Sequence, residues 1–188
     1  MTSEVGLWNV ANALTVVRLL LIPGFIACLL AGGTDWRLAA LAAFCVASAT
    51  DVLDGRLARS RGLVTDFGKI ADPVADKALT GAALVCLSTL GELPWWVTGV
   101  IMFREIGVTA LRFWVIRRGV IAASRGGKLK TLLQVIAICL YILPPALSPP
   151  GIVRALFMAA AVVVTLVTGV DYVQQAMRLR RSEPTAGQ

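Results

Sequence analysis

The chain contains no histidine at all. That absence excludes a Ser-His-Asp triad, an imidazole general base and any histidine metal ligand. Chemistry here must use carboxylates, lysine, arginine, hydroxyls or a bound metal. Charge is scarce too: 15% of the 188 residues are Asp, Glu, Lys or Arg, where a soluble domain carries about 25%. The four cysteines, Cys28, Cys45, Cys86 and Cys139, lie far apart in apolar runs with no CxxC pair. They read as small buried hydrophobes, not as a disulfide framework or a zinc site. No aromatic-basic module suited to base stacking is present, so nucleic acid is excluded as a partner. A signal peptide is not expected. The first apolar run begins after Asn12, carries Arg18, and leads to no small-residue cleavage site. No inverted internal repeat of the kind found in many transporters is visible.

What is there is apolar. Hydrophobic residues make up 57% of the chain, and they fall in long runs, not in one-sided stripes. Six runs are predicted to span a bilayer, over residues 14–31, 36–50, 73–90, 95–116, 131–147 and 152–177. Gly32-Gly33, the turn Gly91-Glu92-Leu93-Pro94 and the prolines at 144, 145, 149 and 150 separate them. The expected fold is all-α: one polytopic membrane domain over 1–188. A short N-terminal interfacial helix over 1–13 precedes it and a disordered polar tail, 182–188, ends it. Arg18, near the start of the first span, is expected to snorkel to the surface. One set of connections holds Arg37, Glu92 and Arg154 and is nearly neutral. The other holds a charged block at 51–77, then Arg117, Arg118, Arg125, Lys128 and Lys130, then Arg178, Arg180 and Arg181. The excess of Lys and Arg puts this second set, with both termini, in the cytoplasm. The net charge of +7 is then a matter of loop orientation and anionic lipid.

The block DVLDGRLARSRGLVTDFGKIADPVADK holds Asp51, Asp54, Asp66, Asp72 and Asp76, five of the eleven acidic residues. Charge this dense is costly beside lipid and marks a site. Asp51 and Asp54 are three apart, and Asp72 and Asp76 four apart, so each pair shares a helix face. Four converging carboxylates repel unless compensated. A hard divalent cation, or two, is the usual compensation, and all-oxygen ligands select Mg²⁺ or Mn²⁺. The plain alternative is a solvated loop of ion pairs. Gly55 and Ala58 are small and sit on the acidic face, where a bulky ligand could approach the backbone. Gly68 could serve the same purpose or allow a turn.

Asp51-x2-Asp54-Gly55-x2-Ala58-Arg59-x8-Gly68-x3-Asp72-x3-Asp76 resembles, without departure, the signature of the CDP-alcohol phosphotransferase family. The resemblance extends over the whole chain, since that family also has six helices and a cytoplasmic-side site. It implies that Asp51, Asp54 and Asp72 bind two divalent ions, and that Asp76 shares the metal site and acts as general base. It places Gly55, Ala58 and Arg59 against the CDP portion of a CDP-linked lipid, with the arginine on the diphosphate. Asp66, Gly68 and Thr80 are taken as further CDP-lipid residues. The implied reaction replaces CMP with an alcohol, and the implied assembly is a homodimer in the bacterial cell membrane.

The signature does not choose the alcohol. Arg104-Glu105 lies in mid-span of the fourth run, followed by Arg112; Lys128 and Lys130 precede the fifth. Arg104–Glu105 could be a structural ion pair. Arg112, Lys128 and Lys130, with Arg104, read as a receptor for a doubly charged phosphate on the acceptor. The stretches REIGVTALR and ASRGGKLKT resemble those of family members whose acceptor is glycerol 3-phosphate. The expected reaction is therefore transfer of phosphatidyl from CDP-diacylglycerol to glycerol 3-phosphate. Alternatives within the family are an inositol 3-phosphate acceptor and cardiolipin synthesis. The alternatives outside it are a divalent-metal transporter, whose acids should lie at the bilayer midplane and not at helix ends, and a purely structural membrane subunit, which has no need for the acid array.

Overall fold

A computed structural model describes residues 10–61, 66–115 and 125–181, with side chains described at 15–50, 74, 75, 77–111 and 126–177. Six helices and no strand occur among the described residues: α1 (Val10–Ala31), α2 (Thr34–Arg61), α3 (Asp66–Thr89), α4 (Trp95–Val115), α5 (Arg125–Ile142) and α6 (Gly151–Arg181). Most of the expected interfacial segment and all of the tail at 182–188 lie outside the described residues. Residues 10–13 already belong to α1.

Two compact units divide the chain. One comprises residues up to Leu93 together with Ile138–Pro149; the other comprises Pro94–Ala137 and everything from Pro150 onward. In the first unit α1 packs on α2 and α3, and α2 on α3. Phe25 of α1 meets Phe44 of α2 with ring centroids 5.8 Å apart and planes tilted by 41°, a favourable aromatic geometry. Ala40, Ala47, Ala75 and Ala83 are fully buried, and small residues at such positions let helix backbones approach closely. In the second unit α4 packs on α6, with Ile101, Met158 and Ala161 buried.

Beside the apolar core, several polar groups are inside and many large apolar side chains are outside. Arg37, Glu105, Lys130, Gln134, Thr165 and Thr168 are buried, whereas Leu20, Phe103 and Leu156 are exposed. Arg18 does not snorkel: it is only 1% exposed. Because α1 starts at Val10, Arg18 lies more than two turns inside the helix, too deep for its head to return to the end. Among the described residues, one stretch, Gly151–Met177, is both long and apolar enough to cross a bilayer, and 28% of its most apolar window is buried. A core helix of a soluble domain would be mostly buried.

Three boundaries differ from expectation for local reasons. α3 begins at Asp66, not at Pro73, so Gly68 is helical and is not a turn. An acidic first residue suits the positive end of the helix dipole. α5 begins at Arg125 and takes in Gly126, Gly127, Lys128 and Lys130. Glycine costs a helix about 1 kcal/mol against alanine, too little for two of them at the first turn to prevent it. The same helix stops at Ile142, short of residue 147, because Pro144 disfavours the helical conformation of the residue before it.

The α3–α4 turn is built around Gly91, whose φ is 73°. Gly91 N–H donates to Ser88 O at 3.1 Å and Glu92 N–H to Leu87 O at 3.0 Å. This pair of bonds satisfies the last carbonyls of α3 and needs a left-handed residue at Gly91. Glu92, fixed by that turn, accepts from Arg37 at both oxygens: Nη1 to Oε1 at 2.6 Å and Nη2 to Oε2 at 2.8 Å. Arg37 also donates to the carbonyls of Tyr141 (2.9 Å) and Ile142 (3.1 Å) at the end of α5, groups with no partner inside their helix. One guanidinium thus joins α2, the α3–α4 turn and the end of α5.

Breaking a buried ion pair on one side costs about 3 kcal/mol or more, so Arg37→Met is expected to lose about that much stability. Gly91→Ala should lose only about 1 kcal/mol. Unfolding in detergent micelles measures both. Wild-type stability in Arg37→Met would show that the clamp does not hold the unit together.

Candidate active site

The signature acids flank one connection. Asp51 and Asp54 lie in the last three turns of α2, and Asp72 and Asp76 lie inside α3. Only four residues, 62–65, separate the two helices. At 1.5 Å per residue, Asp54 and Asp72 are each roughly 10 Å along the helix from that connection, and Asp51 and Asp76 roughly 15 Å. The two pairs therefore sit at matching heights on neighbouring helices that pack together. Gly55, Ala58 and Arg59 lie between the acids and the end of α2, and Asp66 and Gly68 in the first turn of α3. The side chains of Asp51, Asp54, Gly55, Ala58, Arg59, Asp66, Gly68, Asp72 and Asp76 lie outside the described residues. Thr80 is half-buried one turn beyond Asp76, on the same face.

Among the described side chains no group of three or more His, Cys, Asp or Glu comes together; the four signature aspartates are not among them. Their donor chemistry and register are what can be tested against a metal. Four carboxylates at i, i+3 and i, i+4 spacing, at matched heights, offer hard oxygen donors and fit a divalent cation of the Mg²⁺ or Mn²⁺ class.

The acceptor candidates divide. Arg104 and Lys130 come together. Arg104 Nη1 lies 3.0 Å from Glu105 Oε1, and Lys130 Nζ bonds that same oxygen. Glu105 and Lys130 are both buried. Lys128, two residues earlier on α5, is exposed and does not join them. The side chain of Arg112 lies outside the described residues. Arg104 and Glu105 do form an ion pair, as one expectation had it, but they are not a closed pair, since Lys130 shares the carboxylate.

Two further residues support this group. Thr168 of α6 accepts from Arg104 Nη2 at 2.9 Å, and its hydroxyl donates to the carbonyl of Val164 at 2.7 Å. Gly169 lies under the arginine stem: a Cβ there would stand 3.2 Å from Arg104 Cγ. Sequence reasoning missed both. The available signal is weak: Thr165, Thr168 and Gly169 are spaced along one face of an otherwise apolar helix.

A family description of CDP-alcohol phosphatidyltransferases matches residues 8–167. The chain is 52% identical over 173 residues to a probable phosphatidylglycerophosphate synthase of Mycobacterium tuberculosis, covering 90% of this chain and 82% of that protein. It is 40% identical over 184 residues to a CDP-diacylglycerol–glycerol-3-phosphate 3-phosphatidyltransferase of Bacillus subtilis, covering 88% of this chain and 94% of that protein. An Escherichia coli protein with the same description is 38% identical over 175 residues, with 90% and 95% covered. The chain belongs to the CDP-alcohol phosphatidyltransferase family, and it is an enzyme.

Proposed function

We propose that this enzyme transfers the phosphatidyl group of CDP-diacylglycerol to glycerol 3-phosphate, releasing CMP. The names of the relatives support that reaction. The observation that favours a phosphate-bearing acceptor is the meeting of Arg104 and Lys130 on one Glu105 oxygen; glycerol 3-phosphate among such acceptors rests on the relatives' names. Paired cations suit a phosphate dianion, and a neutral alcohol has no use for them.

In this reading Asp51, Asp54, Asp72 and Asp76 hold two Mg²⁺ or Mn²⁺ ions, which when bound supply neutralisation of the diphosphate charge. Arg59 pairs with the diphosphate. Gly55, Ala58, Asp66, Gly68 and Thr80 line the side taken by the CDP-lipid. Asp76 accepts the proton of the acceptor hydroxyl as that oxygen forms its bond to the lipid-bearing phosphorus. The phosphorus–oxygen bond to CMP breaks, and CMP departs with the bridging oxygen. Arg104, Arg112, Lys128 and Lys130 hold the acceptor phosphate.

The same reading takes all six helices across the bilayer, with both termini and the aspartates on the cytoplasmic side, and has two copies form a dimer. Its support is the exposure of many large apolar side chains together with the burial of several charged ones, and the gathering of Lys and Arg in alternate connections.

Asp76→Asn is expected to keep CDP-lipid binding and lose about a hundredfold or more in kcat; full turnover would remove the base assignment. Asp51→Ala should raise the Mg²⁺ concentration needed for half-maximal activity, read from a metal titration. Lys130→Ala should raise the KM for glycerol 3-phosphate and leave that for CDP-diacylglycerol near wild type. Purified protein given CDP-diacylglycerol, Mg²⁺ and each acceptor in turn tests the whole reading. Turnover with inositol 3-phosphate and none with glycerol 3-phosphate would overturn it.

A further inference from the structure

Building on that acceptor reading, we propose that Glu105 and Thr168 are positioning residues that hold Arg104 and Lys130 together as one receptor for the acceptor phosphate. Glu105 is itself an anion and would repel the acceptor, so it is not a phosphate ligand. Its carboxylate does something else. Arg104 Nη1 and Lys130 Nζ both bond its Oε1, so two like charges from α4 and α5 are drawn to one point. In a buried setting two cations repel far more strongly than in water. Without the carboxylate between them, their heads separate and the site for a dianion is lost.

Thr168 fixes the other side of the arginine. Its Oγ1 donates to Val164 O at 2.7 Å or Thr165 O at 3.2 Å, which leaves oxygen lone pairs for Arg104 Nη2 at 2.9 Å. Gly169 gives the arginine stem room to reach that hydroxyl, since a methyl group would come within 3.2 Å of Arg104 Cγ. Arg104 is thereby held at both terminal nitrogens, by α4's own Glu105 and by α6. A receptor set in advance loses less freedom when its ligand arrives.

The test uses the full chain, purified, with steady-state kinetics in both substrates. Glu105→Gln keeps the shape and removes the charge. It is expected to raise the KM for glycerol 3-phosphate about tenfold, the worth of a charge-assisted hydrogen bond, with the KM for CDP-diacylglycerol within about twofold. Thr168→Val should move the acceptor KM the same way by about threefold, and Thr168→Ser, which keeps the hydroxyl, should restore it. An unchanged acceptor KM in Glu105→Gln overturns the proposal. So does a lowered one, which would mean that the carboxylate competes with the phosphate, and so does a parallel rise in both KM values. If Glu105→Gln does not fold, Thr168→Val decides alone, and a wild-type acceptor KM there overturns the proposal. Lys130→Ala separates the two levels. If it raises the acceptor KM and Glu105→Gln does not, the positioning role fails and the acceptor reading stands. If Lys130→Ala leaves the acceptor KM unchanged, the acceptor reading fails.

Discussion

A charge set among apolar helices must meet an opposite charge or an unpaired backbone group, and the packing of this chain follows from how that is done. Arg37 is answered by Glu92 and by the last carbonyls of α5. None of the three elements it joins could leave without exposing a charge or an orphaned carbonyl to an apolar surrounding. The Gly91 turn is part of the same device, because its left-handed residue ends α3 where Glu92 can reach the arginine. The second unit repeats the principle with other residues. Arg104 and Lys130 meet on Glu105, and Thr168 accepts from the other terminal nitrogen of Arg104.

The acids of α2 and α3 obey the same constraint from the other direction. Their spacing fixes a face on each helix, and the four-residue connection fixes a common height. Carboxylates in that register repel one another unless positive charge is supplied. In the proposed reading a divalent cation would supply it, and would serve a diphosphate substrate as well. Eight residues at fixed spacing are therefore enough to suggest a reaction class.

Legibility in the sequence follows the range of the interaction. The placement of Asp51 with Asp54 on one helix, and of Asp72 with Asp76 on the next, was legible because helix periodicity acts over about one turn. The existence of six helices was legible because apolar runs and proline or glycine breaks are local. The start of α5 was not: Gly126-Gly127 looks like a break, and what outweighs it is a helix that carries Lys130 to Glu105, 25 residues away. Arg18 was misplaced for a related reason. Its depth depends on where α1 begins, and the mixed residues ahead of Leu14 gave no sign that the helix had already started at Val10. Thr168 and Gly169 carry no motif, and their part is visible only where α6 lies against α4.

An ion pair that only stabilised a helix contact would need one cation for one carboxylate. Here, among the described residues, two cations meet one carboxylate. Buried charge is expensive and persists where something gains from it. In the proposed reading that gain is the acceptor phosphate: the aspartates would set the reaction type, and Arg104 and Lys130 would set the choice of acceptor.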